Sequence, residues 1–205
     1  MTELELSRRE RKKEETRERI FKAAVKLFKH KGFEETTIDE ITEKADVAKG
    51  TFFNYFAKKE AILGYLWQTR FEAVEENAET LVTSKRSARE KLIALYLELA
   101  AGYVPDRELS LFVLQESVKR AFRTDEDQKL RLHALVHRIL HLGVEQGEFV
   151  RTVDAERVAG VLGSVYMGTL FMWLCAERAC DLNEELTARL SLVLDGLASQ
   201  RAGIR

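Results

Sequence analysis

The heptapeptide Lys49-Gly50-Thr51-Phe52-Phe53-Asn54-Tyr55 carries side chains suited to a DNA duplex. A lysine donates to guanine O6 and N7, an asparagine pairs with adenine, and a threonine bonds a phosphate or lays its methyl on thymine. Gly50 lets the backbone come close to a duplex, and Asn54 lies one helical turn beyond Gly50 and Thr51. A second constellation is His133, His137 and His141, repeating at i+4 with Glu145 next in the series. Two histidines so spaced on a helix chelate a metal or meet a haem edge. They also lie beside the stripe Leu132, Val136 and Leu140, as flanking polar positions do, and no metal is assigned to them. Neither a glycine-rich phosphate loop nor a G-x-S-x-G elbow is present, so no enzyme is expected.

These residues need elements to position them. Ile20, Ala23, Ala24, Leu27 and Phe28 form one buried helical stripe within a helix expected over 16–31, which Gly32 stops. Thr37 and Glu40 make a T-x-x-E capping box that opens a short helix with Ile38, Ile41 and Ala45 on its apolar face. After Asp46-Val47-Ala48 a third helix runs over about 49–56. Two short helices joined by a tight turn are a helix-turn-helix, whose second helix enters the major groove. Its expected core is Ile20, Ala24, Leu27, Phe28, Ile38, Ile41, Ala45, Val47, Phe52 and Phe56.

Charge and composition agree with this reading. Between Ser7 and Phe33 eleven Lys and Arg face four Glu, while the whole chain of 205 residues has a net charge of -1. A basic end on a neutral body suits a polyanion partner for that end alone. One Pro and 11 Gly leave too little punctuation for a sheet, so the fold is expected to be all-α. Two Cys, a charged N-terminus and no apparent long apolar run lead to the expectation of a soluble, cytoplasmic protein.

The stretch from Thr16 to Leu63 resembles the TetR family of transcriptional repressors, through T-R-E-R-I-F-K-A-A-V-K-L-F, K-G-F-E-E-T-T-I-D-E-I, V-A-K-G-T-F-F-N-Y-F and K-K-E-A-I-L. Two positions depart from the family's habit. Asp46 replaces the usual turn glycine and Ala48 replaces the common serine before the reading helix, which removes a cap worth about 1 kcal/mol. The resemblance implies an N-terminal arm (1–15), a DNA-binding domain (16–58) and a helical effector and dimerisation domain (59–205). Lys49, Gly50, Thr51 and Asn54 then read bases, while Thr37, Tyr55 and Lys59 clamp phosphates. Phe53 stands where the family often has tyrosine and lacks the hydroxyl for a phosphate. The basic residues Arg8–Lys13 are placed to follow the backbone or enter the minor groove.

Beyond Lys59, helices are expected near 59–84, 87–103, 106–121, 125–146, 154–179 and 183–199. The last two resemble the pair through which the family dimerises, and Gly160, Gly163, Ser164 and Gly168 thin the surface of the first for close packing. A two-fold dimer implies a pseudo-palindromic operator. The family's effector pocket would be lined by Trp67, Phe71, Phe112, Gln115, Glu116, Tyr166, Met167 and Trp173, for a small molecule the sequence leaves unnamed. The alternative is a DNA-binding adaptor whose second domain is filled and senses nothing.

Overall fold

The computed structural model describes residues 8–103, 107–121, 126–176 and 180–198. Nine α-helices and no strand are found among them: α1 (Arg8–Lys31), α2 (Ile38–Ala45), α3 (Lys49–Tyr55), α4 (Glu60–Thr83), α5 (Ala88–Ala101), α6 (Arg107–Ala121), α7 (Glu126–Glu145), α8 (Ala155–Cys175) and α9 (Leu182–Asp195). Pro105 lies outside the described residues. The chain divides into two compact units after Trp67, inside α4 rather than at the expected boundary ahead of it.

In the first unit, α1 starts at Arg8 and absorbs the second half of the expected arm. The segment Arg8–Glu15 consists of good helix formers, Arg11 pairs with Glu15 at i+4, and the Thr16 hydroxyl donates back to the Lys12 carbonyl. Gly32 takes φ 89° and its amide reaches the Phe28 carbonyl, closing α1. Phe33 then folds back edge-on to Phe28, with ring centroids 4.9 Å apart. Ile20, Ala23, Ala24, Phe28, Phe33, Ile41, Ala45, Phe52 and Phe56 form the core, joined by Ile62, Leu63 and Leu66 of α4. Leu27, Ile38 and Val47, also expected there, are only half-buried.

In the second unit α5 packs on α7 and α9, and α8 on α6, α7 and α9. Leu186, Leu190 and Leu194 make one i+4 stripe on α9 against Leu162, Leu170 and Leu174 of α8, and all are buried. Gly143 together with Gly147 is expected to end the helix near 125–146, but α7 runs through Gly143 to Glu145. Gly147, at φ 71°, follows that end. Gly143 instead makes room: a Cβ there would lie 2.3 Å from the Phe149 ring and 2.8 Å from the Ala88 Cβ. Glu148 then reaches the start of α5, accepting from the Ala88 and Arg89 amides at 2.7 and 2.9 Å.

α8 corrects one sequence expectation. By length and composition it is apolar enough to cross a membrane. Its apolar character serves two faces. Ala159, Leu162, Tyr166 and Leu170 are buried in the unit, whereas Val161, Met167, Phe171 and Met172 are exposed in the single chain.

Candidate nucleic-acid interface and effector core

The turn into α3 is built by three local choices. Thr37 caps α2, with its hydroxyl accepting from the Glu40 amide while Glu40 Oε2 accepts from the Thr37 amide at 2.9 Å. Asp46 sits at φ 51°, ψ 56°, so it supplies the left-handed turn usually made by glycine. Ala48 adopts the extended N-cap conformation with no side-chain bond to α3, as its chemistry requires.

α3 therefore presents a defined face. Phe52 is buried with Phe56 just beyond the helix, while Lys49, Gly50, Phe53 and Asn54 are exposed and Thr51 and Tyr55 half-buried. A Cβ on Gly50 would meet nothing within 4 Å, so no packing within the chain requires glycine there. Phe53 is 48% exposed and stands edge-on to Phe52. Such an aromatic suits apolar contact with the C5-methyl of thymine. Lys49 lies 2.7 Å from Asp39 Oδ1 on α2, a pair whose members are both exposed.

Two expected phosphate clamps look different in the structure. The Thr37 amide and hydroxyl both donate to Glu40 Oε2, each at 2.9 Å. The groups left for a phosphate are the first amides of α2, which a helix does not pair internally. Lys59 is turned inward. Its ammonium donates to the carbonyls of Phe33 (2.6 Å), Glu34 (3.1 Å) and Thr36 (2.9 Å) and lies 4.4 Å from the Phe33 ring centroid. All three protons of a lysine are thus engaged, and the residue ties the α1–α2 turn to the start of α4. Arg8 and Arg9 side chains lie outside the described residues; Arg11, Lys12 and Lys13 are exposed on α1.

Lys31 adds a second tie, donating to Glu40 Oε1 at 2.5 Å. This ammonium, with the Thr37 amide and hydroxyl, lowers the Glu40 carboxyl to about 2.

The residues expected around an effector are not gathered at one place. Phe71 is buried and lines a cavity of about 120 Å³ with Val74, Glu75, Ala78, Arg131, Leu132 and Leu135. Tyr166 is buried in the core; Phe112 and Trp67 are half-buried. Gln115 and Met167 face outward, and the Glu116 side chain lies outside the described residues. Trp173 belongs to the end of α8. The Arg107 guanidinium stacks on its ring and donates to the carbonyls of Trp173, Leu174 and Ala176, closing the helix.

A polar cluster that sequence reasoning missed surrounds Tyr166. Its ring lies 5.4 Å from that of Tyr96, and the Arg70 guanidinium lies over Tyr103 at 6.0 Å. Burial pushes both the Tyr96 and Tyr166 phenols up, with the charges of Tyr103 and Tyr96 adding to the effect at Tyr166 and Arg70 opposing it. The Tyr166 hydroxyl is buried without a hydrogen-bond partner. The available signal was Arg70 itself, which falls four residues before Val74 in the register of the buried stripe of α4.

These features define a helix-turn-helix protein with a second helical unit. Residues 20–66 match the family of bacterial regulatory proteins, tetR family. Thermus thermophilus FadR, a TetR family transcriptional repressor solved with lauroyl-CoA, is 33% identical over 92% of this chain and 98% of its own, with a TM-score of 0.67. The fatty acid metabolism regulator protein of Bacillus subtilis is 26% identical over 185 residues, 87% of this chain and 93% of its own. FadR of Bacillus subtilis, solved with stearoyl-CoA, shares the fold at 22% identity and a TM-score of 0.68, covering 88% of this chain and 98% of its own. The chain belongs to the TetR family of bacterial transcriptional regulators. It is a DNA-binding transcriptional regulator, in a family whose members bind operators and small-molecule ligands and function as dimers.

Proposed function

We propose that this chain represses transcription in the cytoplasm by binding a pseudo-palindromic operator as a homodimer, and that a long-chain acyl-CoA releases it. The observation that carries the acyl-CoA reading is the 33% identity, over nearly the full length, with a repressor solved with lauroyl-CoA. The unit ending at Trp67 reads DNA through Lys49, Gly50, Thr51, Phe53 and Asn54, with Tyr55 and the α2 amides on phosphates. The second unit takes the effector and the partner. Dimerisation through α8 and α9 is supported by their apolar residues left facing outward, among them Phe171 and Met172 at 57% exposure and Leu192 at 76%. Gly160, Gly163 and Gly168 have open space above them, which would admit a partner helix closely.

Effector binding is proposed to centre on Tyr166. A phenol buried without a partner is destabilising, and an acyl thioester carbonyl would accept its proton. Ligand pockets usually hold about 300–1,000 Å³, far more than the 120 Å³ beside Phe71. Entry of an acyl chain therefore separates helices of the second unit, and a ligand that prefers this opened state lowers operator affinity by the same preference.

The test is Tyr166→Phe in the full chain, read by thermal unfolding and by lauroyl-CoA titration. The variant is expected to melt higher, since the unsatisfied hydroxyl is gone, and to bind lauroyl-CoA roughly 2–10-fold more weakly. A native protein that does not bind lauroyl-CoA at all would contradict the acyl-CoA reading. With no other effector found, it would favour the adaptor with a filled second unit, which the small cavity also suits.

A further inference from the structure

We propose that His133, His137 and Glu156 form a three-ligand site for a divalent transition-metal ion of the zinc class, joining α7 to the first turn of α8. The i+4 spacing puts both imidazoles on one face of α7, with ring centroids 4.7 Å apart. α8 supplies the third group. Glu156 Oε2 lies 3.7 Å from His133 Nδ1 and 3.3 Å from His137 Nε2, and all three donor atoms fall within 4.8 Å of one another. Zinc bound tetrahedrally at roughly 2.0–2.1 Å separates neighbouring ligand atoms by about 3.3 Å. The oxygen-to-nitrogen spacings are therefore at or near those of a coordinated ion before one is bound.

Two further observations separate this set from an ordinary polar surface. His137 Nε2 is shut off from solvent and makes no hydrogen bond, although it faces Glu156 Oε2. A metal ion would satisfy a lone pair that water does not reach. Among the described residues no lysine or arginine pairs with Glu156. The neighbouring Arg157 is held by the α8 cap Asp154, at 3.0 Å from Oδ2 and with its amide on Oδ1. Two imidazoles and one carboxylate suit zinc, copper or nickel rather than magnesium or calcium, and they leave a fourth position for water. The series suggested by sequence continued to His141 and Glu145. The structure replaces them with a residue distant in the chain, and the His141 ring stands 6.5 Å from that of His137.

The test is calorimetric titration of chelator-treated, full-length protein with zinc sulfate. Cys175 and Cys180 are free and exposed, so the titration is repeated in C175S/C180S to remove competing thiolates. One zinc per chain is expected to remain in the thiol-free protein. His133→Ala with His137→Ala, and separately Glu156→Gln, should each weaken it by at least the roughly 10–100-fold that loss of an outer-shell partner costs. His141→Ala should leave it unchanged. Cobalt absorption supplies a readout in the thiol-free, otherwise native protein, where tetrahedral ligand-field bands without thiolate charge transfer are expected. No zinc binding by the thiol-free protein, or binding unchanged in the double histidine variant, would overturn the proposal.

Discussion

Removing the Lys59 ammonium distinguishes a phosphate clamp from a structural tie. Lys59→Met keeps most of the alkyl stem but loses three charge-assisted bonds to the carbonyls of Phe33, Glu34 and Thr36 and the contact with the Phe33 ring. A hydrogen bond from a charged group contributes about 1.5–3 kcal/mol net, and an exposed cation–π contact about 0.5–1 kcal/mol. The three bonds share one ammonium, and the carbonyl of exposed Glu34 regains water, so the contributions do not add. A net loss of roughly 2–3 kcal/mol is expected. If the whole chain melts as one, that corresponds to a fall of roughly 4–12 °C in Tm. The assay is thermal and urea unfolding of the full chain, followed by operator affinity measured at several salt concentrations and well below the new Tm. A clamp on phosphate would instead leave Tm in place and reduce the salt slope by about one. Unchanged stability with a reduced slope would refute the structural reading of Lys59.

Further outcomes follow from the first unit and from α7. Lys49→Ala and Asn54→Ala should each relax sequence preference at one half-site position, costing about 1–3 kcal/mol on the preferred base and little on random DNA. Asp39→Asn frees the Lys49 ammonium from its pair, and operator binding should tighten at low salt, read by titration of labelled duplex. Glu40 is held at about 2 when folded against 4.5 ordinarily, so its contribution is complete above about 4.5 and disappears as pH falls from there through about 2. Acid unfolding of Glu40→Gln should lack that share of the pH dependence, and a profile identical to native would argue against the Lys31 tie. Gly143→Ala drives a methyl into the Phe149 ring and should cost about 1–3 kcal/mol by denaturant unfolding.

The reading unit was largely legible because its signals are local. Thr37 with Glu40, Asp46 in the turn and Gly32 after α1 each act within a few residues, and a sequence displays such spacing directly. The carbonyl bonds of Lys59 were not legible because its partners lie 23 to 26 residues back, and the same side chain suits a phosphate or a row of carbonyls. The start of α1 was placed late because Arg8–Glu15 has no apolar stripe, although its i+4 charges and good formers sustain a helix. The core of the second unit was least visible. Aromatic type alone did not separate buried Phe71 and Tyr166 from Trp173 at a helix end or Met167 on an outer face. Nor did the histidine series on α7 reveal that its third partner would come from α8.

The central claim, an effector-controlled reader of a two-fold operator, is tested most directly by selecting duplexes from a randomised pool and then adding lauroyl-CoA to the winning complex. The account predicts a pseudo-palindromic winner bound at least about 10³-fold more tightly than random DNA. Lauroyl-CoA should release it, and free coenzyme A should not. A flat selection, or a specific complex that neither lauroyl-CoA nor stearoyl-CoA loosens, would contradict the account.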